Sequence, residues 1–409
     1  MPLTKAVFLS AMLAFGQFAD ASFSSINGGK GKEVTVMQYP KVGCSGSYQN
    51  PRFGPDSGKT CKVTYETVKY SGPLAPLNRQ ITFHLRGPIQ LHNFAAYYPG
   101  GAPSRVRRDL PHHHRRHAHH HLELEKRDPK KKKVKVVTKE EVVQVTTYAK
   151  KPQATPSAGS FKKVAFYDAN KQKATGLTFM NNKGADSLSG TWSTCFGNSE
   201  SFMASDGRCA SKAPQTLAKG VVFGVDEEFS IWTDTPCDKD EINYSGNACR
   251  KGWEGDNKVF VFKFAMPYNT TGTNNNNMPA VWSLNSDIGR SLQYPSDPKN
   301  SCWSQGCGEF DIWEVLDSGD EFKDCMTSHL HSFQGSADKG APNAKGGGGT
   351  GDYFKRPATG TFTGMVSYLN DGSITIQKLD DNFDFPDYLT MDQIKKKITP
   401  NCPKANVYQ

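Results

Sequence analysis

A chain of 409 residues is long for one ordinary core, and 50 Lys and Arg against 40 Asp and Glu give it a formal charge of +10. The position of that charge excludes a nucleic-acid binder. Fifteen basic and six acidic residues lie between Arg105 and Lys151, so the rest of the chain is nearly neutral, and the basic stretch has no aromatic residue before Tyr148 on which bases could stack.

The first 21 residues read as a secretory signal: Lys5 gives the charged start, Ala6 to Gly16 the apolar run, and Ala19-Asp20-Ala21 a small-x-small cleavage site, so the mature chain is expected to begin at Ser22. The run is shorter than the about 20 apolar residues that a bilayer takes, and no later stretch qualifies, which predicts no membrane span. Ten cysteines follow, an even number in an exported chain, so disulfides are expected. Asn243-Tyr244-Ser245 and Asn269-Thr270-Thr271 are N-glycosylation sequons on the same route.

Residues 22–101 alternate short apolar pieces with Gly, Pro and Ser, and Val34-Thr35-Val36, Lys62-Val63-Thr64-Tyr65 and Ile81-Thr82-Phe83-His84-Leu85 read as brief strands of a small β-rich N-terminal domain. Cys44 and Cys61 are its only cysteines, and the expectation is that they bond to each other. No catalytic constellation stands out in it.

Residues 102–157 read as a basic, disordered linker whose like charges repel and whose apolar content is too low to offset ordering entropy. Arg107-Arg108, Arg115-Arg116 and Lys126-Arg127 are dibasic pairs. In an exported chain such pairs suit a kexin-type processing protease, the best placed being Lys126-Arg127 before Asp128, and a cut there would separate the two units. Seven histidines between His112 and His121 lack fixed geometry, so no metal site is expected.

Residues 158–409 hold all six tryptophans and eight of the ten cysteines. Strand-like runs recur at Lys163 to Tyr167, Gly220 to Gly224, Phe229 to Trp232, Val259 to Phe264, Ala280 to Leu284, Phe310 to Val315, Met365 to Leu369 and Ser373 to Gln377, with one short helical candidate at Thr390 to Lys397. Many short strands between Gly, Asn and Asp turns predict an all-β fold, an antiparallel sandwich of the jelly-roll kind. After Cys402 there is no apolar tail, so no lipid anchor is expected.

The segment Gly308-Glu309-Phe310-Asp311-Ile312-Trp313-Glu314-Val315 interleaves three acids with strand-forming residues. A regular strand puts Glu309 and Asp311 on one face and Glu314 on the other. A β-bulge between Asp311 and Glu314 would return Glu314 to the first face, and that bulge is predicted. A retaining glycosidase needs two carboxyls roughly 5–5.5 Å apart, one nucleophile and one acid and later base. Crowding would keep Glu314 protonated beside a charged Glu309, with Asp311 placed to orient the nucleophile. An exposed acidic edge or a calcium site is the plainer alternative.

Glu309-x-Asp311-x-x-Glu314 resembles the bulged active-site signature of glycoside hydrolase family 16, in the form of the laminarinase-like β-1,3-glucanases with a concanavalin-like jelly roll. Pro279-Ala280-Val281-Trp282-Ser283-Leu284 is similar to that family's upstream strand, and Thr327-Ser328-His329-Leu330-His331 to the downstream strand that brings a histidine to the cleft. The resemblance implies Glu309 as nucleophile, Glu314 as acid/base, Asp311 as assisting carboxylate, and His329 or His331 against the sugar or Asp311. Neither a cofactor nor a metal at the site is expected, although some jelly-roll glycosidases carry a structural calcium remote from the cleft. Trp303 and Trp313 are candidates for stacking on sugar rings, and Trp282 joins them through the resemblance. Cys302 and Cys307, five residues apart, are expected to pin the approach to this strand, paired with each other or not.

Over nearly its full length the chain resembles a narrower group, the fungal cell-wall target-of-SBF proteins, with a small N-terminal domain, a His-rich dibasic linker and this C-terminal domain. That resemblance implies a secreted, wall-located protein acting on β-1,3-glucan, as an endo-glucanase or as a transglycosylase through the same covalent intermediate. The alternative of a different class is a non-catalytic glucan-binding or structural wall protein.

Overall fold

The computed structural model describes residues 30–54, 61–100, 159–225, 227–241, 248–269, 277–291, 297–316, 321–331, 348–395 and 404–406. The signal sequence, the linker with its dibasic pairs, the first sequon and the last two residues of the second lie outside them.

The described residues form two large curled sheets. One carries, in spatial order, Tyr388–Leu389, Phe161–Asp168, Gln90–Pro99, Lys258–Ala265, Phe362–Tyr368, Ile374–Lys378, Val36–Tyr39 and Lys404–Asn406. The other carries Ser201–Phe202, Leu177–Asn181, Glu228–Thr233, Ile81–Arg86, Ala280–Asn285, Glu309–Glu314, Cys325–His331 and Gly348–Gly349. Neighbours run antiparallel, except that Val36–Tyr39 pairs in parallel with Lys404–Asn406. This is the all-β, jelly-roll-like sandwich that the strand spacing predicts.

Period-two alternation builds the core. Ile81, Phe83 and Leu85 point inward, where the Phe83 ring meets Phe260 at 4.4 Å and Phe262 at 5.2 Å from the opposite sheet. The intervening Thr82, His84 and Arg86 take the outer face. Of the expected strands, Gly220 to Gly224 contributes a single bridge, Phe223 to Ile89, and Val34-Thr35-Val36 meets the observed strand Val36–Tyr39 only at Val36. The expected helix is present as Met391–Lys395.

The strands before residue 101 do not make a core of their own. Ile81–Arg86 lies between Glu228–Thr233 and Ala280–Asn285, Gln90–Pro99 lies between Phe161–Asp168 and Lys258–Ala265, and Val36–Tyr39 extends the Ile374–Lys378 strand. A separate N-terminal domain is therefore corrected to a set of interior strands. The physical reason is that strands so apolar need partners on both edges and a facing sheet, which about 80 residues with one hairpin cannot supply.

That hairpin, Gly46–Phe53 with Val63–Tyr70, stands outside both sheets and packs Tyr48 and Tyr70 against Trp282, Leu284 and Ile288 on the outer face of the second sheet. It also corrects the expected Cys44–Cys61 bond. Gly46 pairs with Tyr70 and Phe53 with Val63, so Cys44 and Cys61 flank opposite ends of an eight-residue ladder, roughly 20 Å apart at about 3.3 Å per residue. Cys61 instead bonds Cys195, where Phe53 meets Phe196 at 4.6 Å, while the Cys44 thiol approaches the Ala75 carbonyl. Cys237–Cys249 and Cys302–Cys307 are the other disulfides among the described residues.

Candidate active site

The candidate site grows from the Glu309–Glu314 strand, held between Ala280–Asn285 and Cys325–His331. Asp311 pairs with His329 and Glu314 with Thr327, three residues against two, and on the other side Trp313 and Asp311 pair with the successive Val281 and Trp282. The predicted bulge is present. It puts Ile312 and Trp313 consecutively into the core and leaves Glu309, Asp311 and Glu314 together on the outer face.

The core side fixes the bulge. The Trp313 ring wedges among Phe262, Phe264 and Phe362 at 5.4–5.7 Å, over Gly364, where a Cβ would come within 2.2 Å of the ring. Trp313 is fully buried, which corrects its candidacy as a sugar platform: the residue that the bulge sacrifices to the interior cannot also face the groove. Behind Asp311, the Ser328 hydroxyl donates to its backbone carbonyl at 2.6 Å and in turn accepts from the Tyr39 hydroxyl at 2.9 Å.

Each acid has a different neighbourhood. Glu309 accepts a hydrogen bond from the indole N–H of Trp303. That indole is mounted on the loop closed by Cys302–Cys307, whose Gly306 (φ 76°) and Gly308 (φ 114°) adopt left-handed backbone to deliver the strand. Asp311 Oδ2 lies 2.9 Å from Nε2 of His331. His329, nearly fully buried, is pushed down to about 4 by burial and then by the neighbouring His331, so it is a neutral imidazole beside the acids. The geometry thus separates the two histidines: His331 pairs with Asp311 and His329 lies beside it.

Glu314 is raised to about 7, first by burial and then by the charge of Asp311, with Arg86 and His331 opposing. Its Oε1 lies 3.4 Å from Nη2 of Arg86, whose Nε donates to the Met278 carbonyl and whose guanidinium sits 5.8 Å from the Trp282 ring. Trp282, 3% exposed, forms the floor beside Asp311, tilted against His84 at 5.5 Å. His84 hydrogen-bonds Thr82 at 2.9 Å and Glu228 at 3.1 Å. Towards the Leu177–Asn181 edge the same face is closed by Trp232, whose indole donates to Glu200 under the Arg290 guanidinium. The partly exposed side chains of this face are Glu309, His331, Glu314, Arg86 and Glu228.

His84, Arg86 and Glu228 are absent from the sequence-derived set. Their signal was present: Thr82, His84 and Arg86 alternate with Ile81, Phe83 and Leu85, a polar face that a surface strand shows equally. Donor atoms of Asp311, Glu314 and His329 lie within 4.8 Å of one another. The Arg86 guanidinium, 3.4 Å from Glu314, places a positive charge against that cluster.

Residues 159–397 match the family described as Cell wall protein YJL171C/Tos1, C-terminal, and residues 35–99 match Cell wall protein YJL171C/Tos1, N-terminal. The chain belongs to the YJL171C/Tos1 family. Within it, the chain is 32% identical over 417 residues to "Probable circularly permuted 1,3-beta-glucanase TOS1" of Saccharomyces cerevisiae, covering 86% of this chain and 88% of that protein. It is 30% identical over 425 residues to the Candida albicans protein of the same name, with the same coverage. A Schizosaccharomyces pombe family member, also named a probable circularly permuted 1,3-beta-glucanase, is 41% identical over 225 residues, 54% of this chain and 42% of that protein. No solved structure matches. No helix among the described residues is long and apolar enough to cross a membrane.

Proposed function

We propose that this Tos1-family protein is a secreted, wall-located retaining glycosidase that cleaves β-1,3-glucan internally, with Glu309 as nucleophile and Glu314 as acid/base. Glu309 attacks the anomeric carbon while Glu314 gives its proton to the departing oxygen; Glu314, now a carboxylate, takes a proton from the water that releases the sugar from Glu309. A glucan hydroxyl in place of that water gives a transglycosylase by the same steps. Asp311, paired with His331, orients Glu309 and keeps Glu314 protonated by its charge. Trp303 and His331 border the reacting sugar, Trp282 and His329 support them from below, and no cofactor enters.

The observation that carries this reading is the bulge, which turns three acids onto one face and leaves one of them with a pKa of about 7. The relatives' names support the substrate, and their description as circularly permuted accords with N-terminal strands lying inside both sheets. The exported route accords with the signal-like start and the disulfides. Processing by a kexin-type protease at Lys126-Arg127 leaves two chains joined through the sheets and through Cys61–Cys195, not a free N-terminal domain. Incubation of the purified protein with laminarin, following reducing ends and longer products by mass, tests the enzyme reading. Glu309→Gln is expected to lose at least roughly a thousandfold in rate. Equal behaviour of variant and wild type leaves only attachment to the polysaccharide.

A further inference from the structure

Five of the six tryptophans belong to the core or to the candidate site. Trp232, Trp253, Trp282 and Trp313 are at most 3% exposed, and Trp303 is half-buried on Glu309. Trp192 is 53% exposed, more than any other large hydrophobic side chain among the described residues.

Its mount is rigid. Trp192–Ser193 pairs with Gly197–Asn198 in a two-stranded ribbon outside both sheets. The Asp186 carboxylate accepts from the Thr191 hydroxyl at 2.6 Å and from the Trp192 amide at 3.3 Å, and Thr191 and Ser199 exchange further bonds at 2.8 and 2.9 Å. The Ser193 hydroxyl accepts from the amides of Cys195 and Phe196, and Cys195 is bonded to Cys61 on the hairpin. A large apolar ring thus stands exposed to water on a hydrogen-bonded ribbon. Register puts the exposed Asn198 directly opposite Trp192, on the same face of the ribbon.

We propose that Trp192, on the ribbon outside both sheets, is a polysaccharide-stacking platform that holds a β-glucan chain by contact between the indole face and the C–H face of a pyranose ring. An indole offers an apolar face with a polar edge, and a glucose ring offers the complementary pair. A protein partner fits less well: the ring's neighbours Asp186, Thr191, Thr194 and Asn198 are polar, and a lone aromatic does not make the desolvated centre of a stable protein interface. The choice of β-glucan rests on the substrate proposed above.

Co-sedimentation of the full protein with insoluble β-1,3-glucan tests it, with turnover of short soluble laminari-oligosaccharides measured in parallel. Trp192→Ala is expected to weaken retention roughly five- to tenfold and to leave oligosaccharide turnover unchanged, while Trp192→Phe restores most of the retention. Glu309→Gln is expected to sediment like wild type. Wild-type retention by a folded Trp192→Ala protein, or unchanged retention with loss of a protein complex in light scattering, overturns the platform. If Glu309→Gln turns over oligosaccharides like wild type while Trp192→Ala still loses retention, the glycosidase reading falls and the platform stands.

Discussion

Replacing Arg86 should move the alkaline limit of activity, and the direction follows from its position. In the proposed mechanism Glu314 has to carry a proton when the glycosidic bond breaks, so rate is expected to fall as pH rises through its pKa of about 7. Arg86, with Nη2 3.4 Å from the Glu314 carboxylate, favours the charged form and holds that pKa below where burial and Asp311 alone would put it. At 26% side-chain exposure the guanidinium is partly screened by solvent, so the interaction is well short of the low-dielectric limit. An effect of about 1–2 kcal/mol corresponds to roughly one pKa unit. Arg86→Gln should therefore shift the alkaline limb of kcat/KM on soluble laminarin upward by about one unit, and Arg86→Lys should shift it by much less. A limb that stays in place or moves to lower pH, measured between about pH 4 and 9, refutes both the assignment of Glu314 and the role of Arg86.

Two other perturbations bear on the frame around the site. Gly364→Ala drives a methyl into the Trp313 ring and should cost about 1–3 kcal/mol, read as a lowered Tm, with activity lost alongside because the same wedge shapes the bulge. A Tm equal to wild type would show that Trp313 is not packed there. Proteolytic cutting anywhere between Gly100 and Gly159 should give two fragments on a reducing gel, one species on a non-reducing gel, and one peak in gel filtration. Release of the N-terminal fragment without reductant would refute the shared sheets.

Sequence reading reached the sandwich and the bulge for the same reason: both are set locally, by alternation along each strand and by one extra residue between two acids. It missed what depends on which strands meet. Cys61 and Cys195 are separated by 134 positions and the basic linker, and nothing in either neighbourhood announces the other. Arg86 follows the expected strand Ile81 to Leu85, and only the ladder, in which Ala280 pairs with Arg86 on one side and Glu314 on the other, brings it to the acid. Trp313 was read as a sugar contact from its place in the motif, but the bulge that rescues Glu314 for the groove consigns the preceding residue to the interior. Whether a tryptophan is core or surface was undecidable from the motif alone, and Trp192, outside any motif, drew no notice.

The pairing of Val36 with Gln377 also governs how the chain comes to exist. Synthesis at about 5–20 residues per second separates the emergence of those two partners by roughly half a minute. Throughout that interval an apolar strand waits with an open edge, while Ile81–Arg86 and Gln90–Pro99 find their partners earlier. Closure through such distant contacts is inherently slow. The nascent chain therefore has reason to depend on chaperones that shield strand edges, and truncation near the last strand should harm yield more than its few residues suggest.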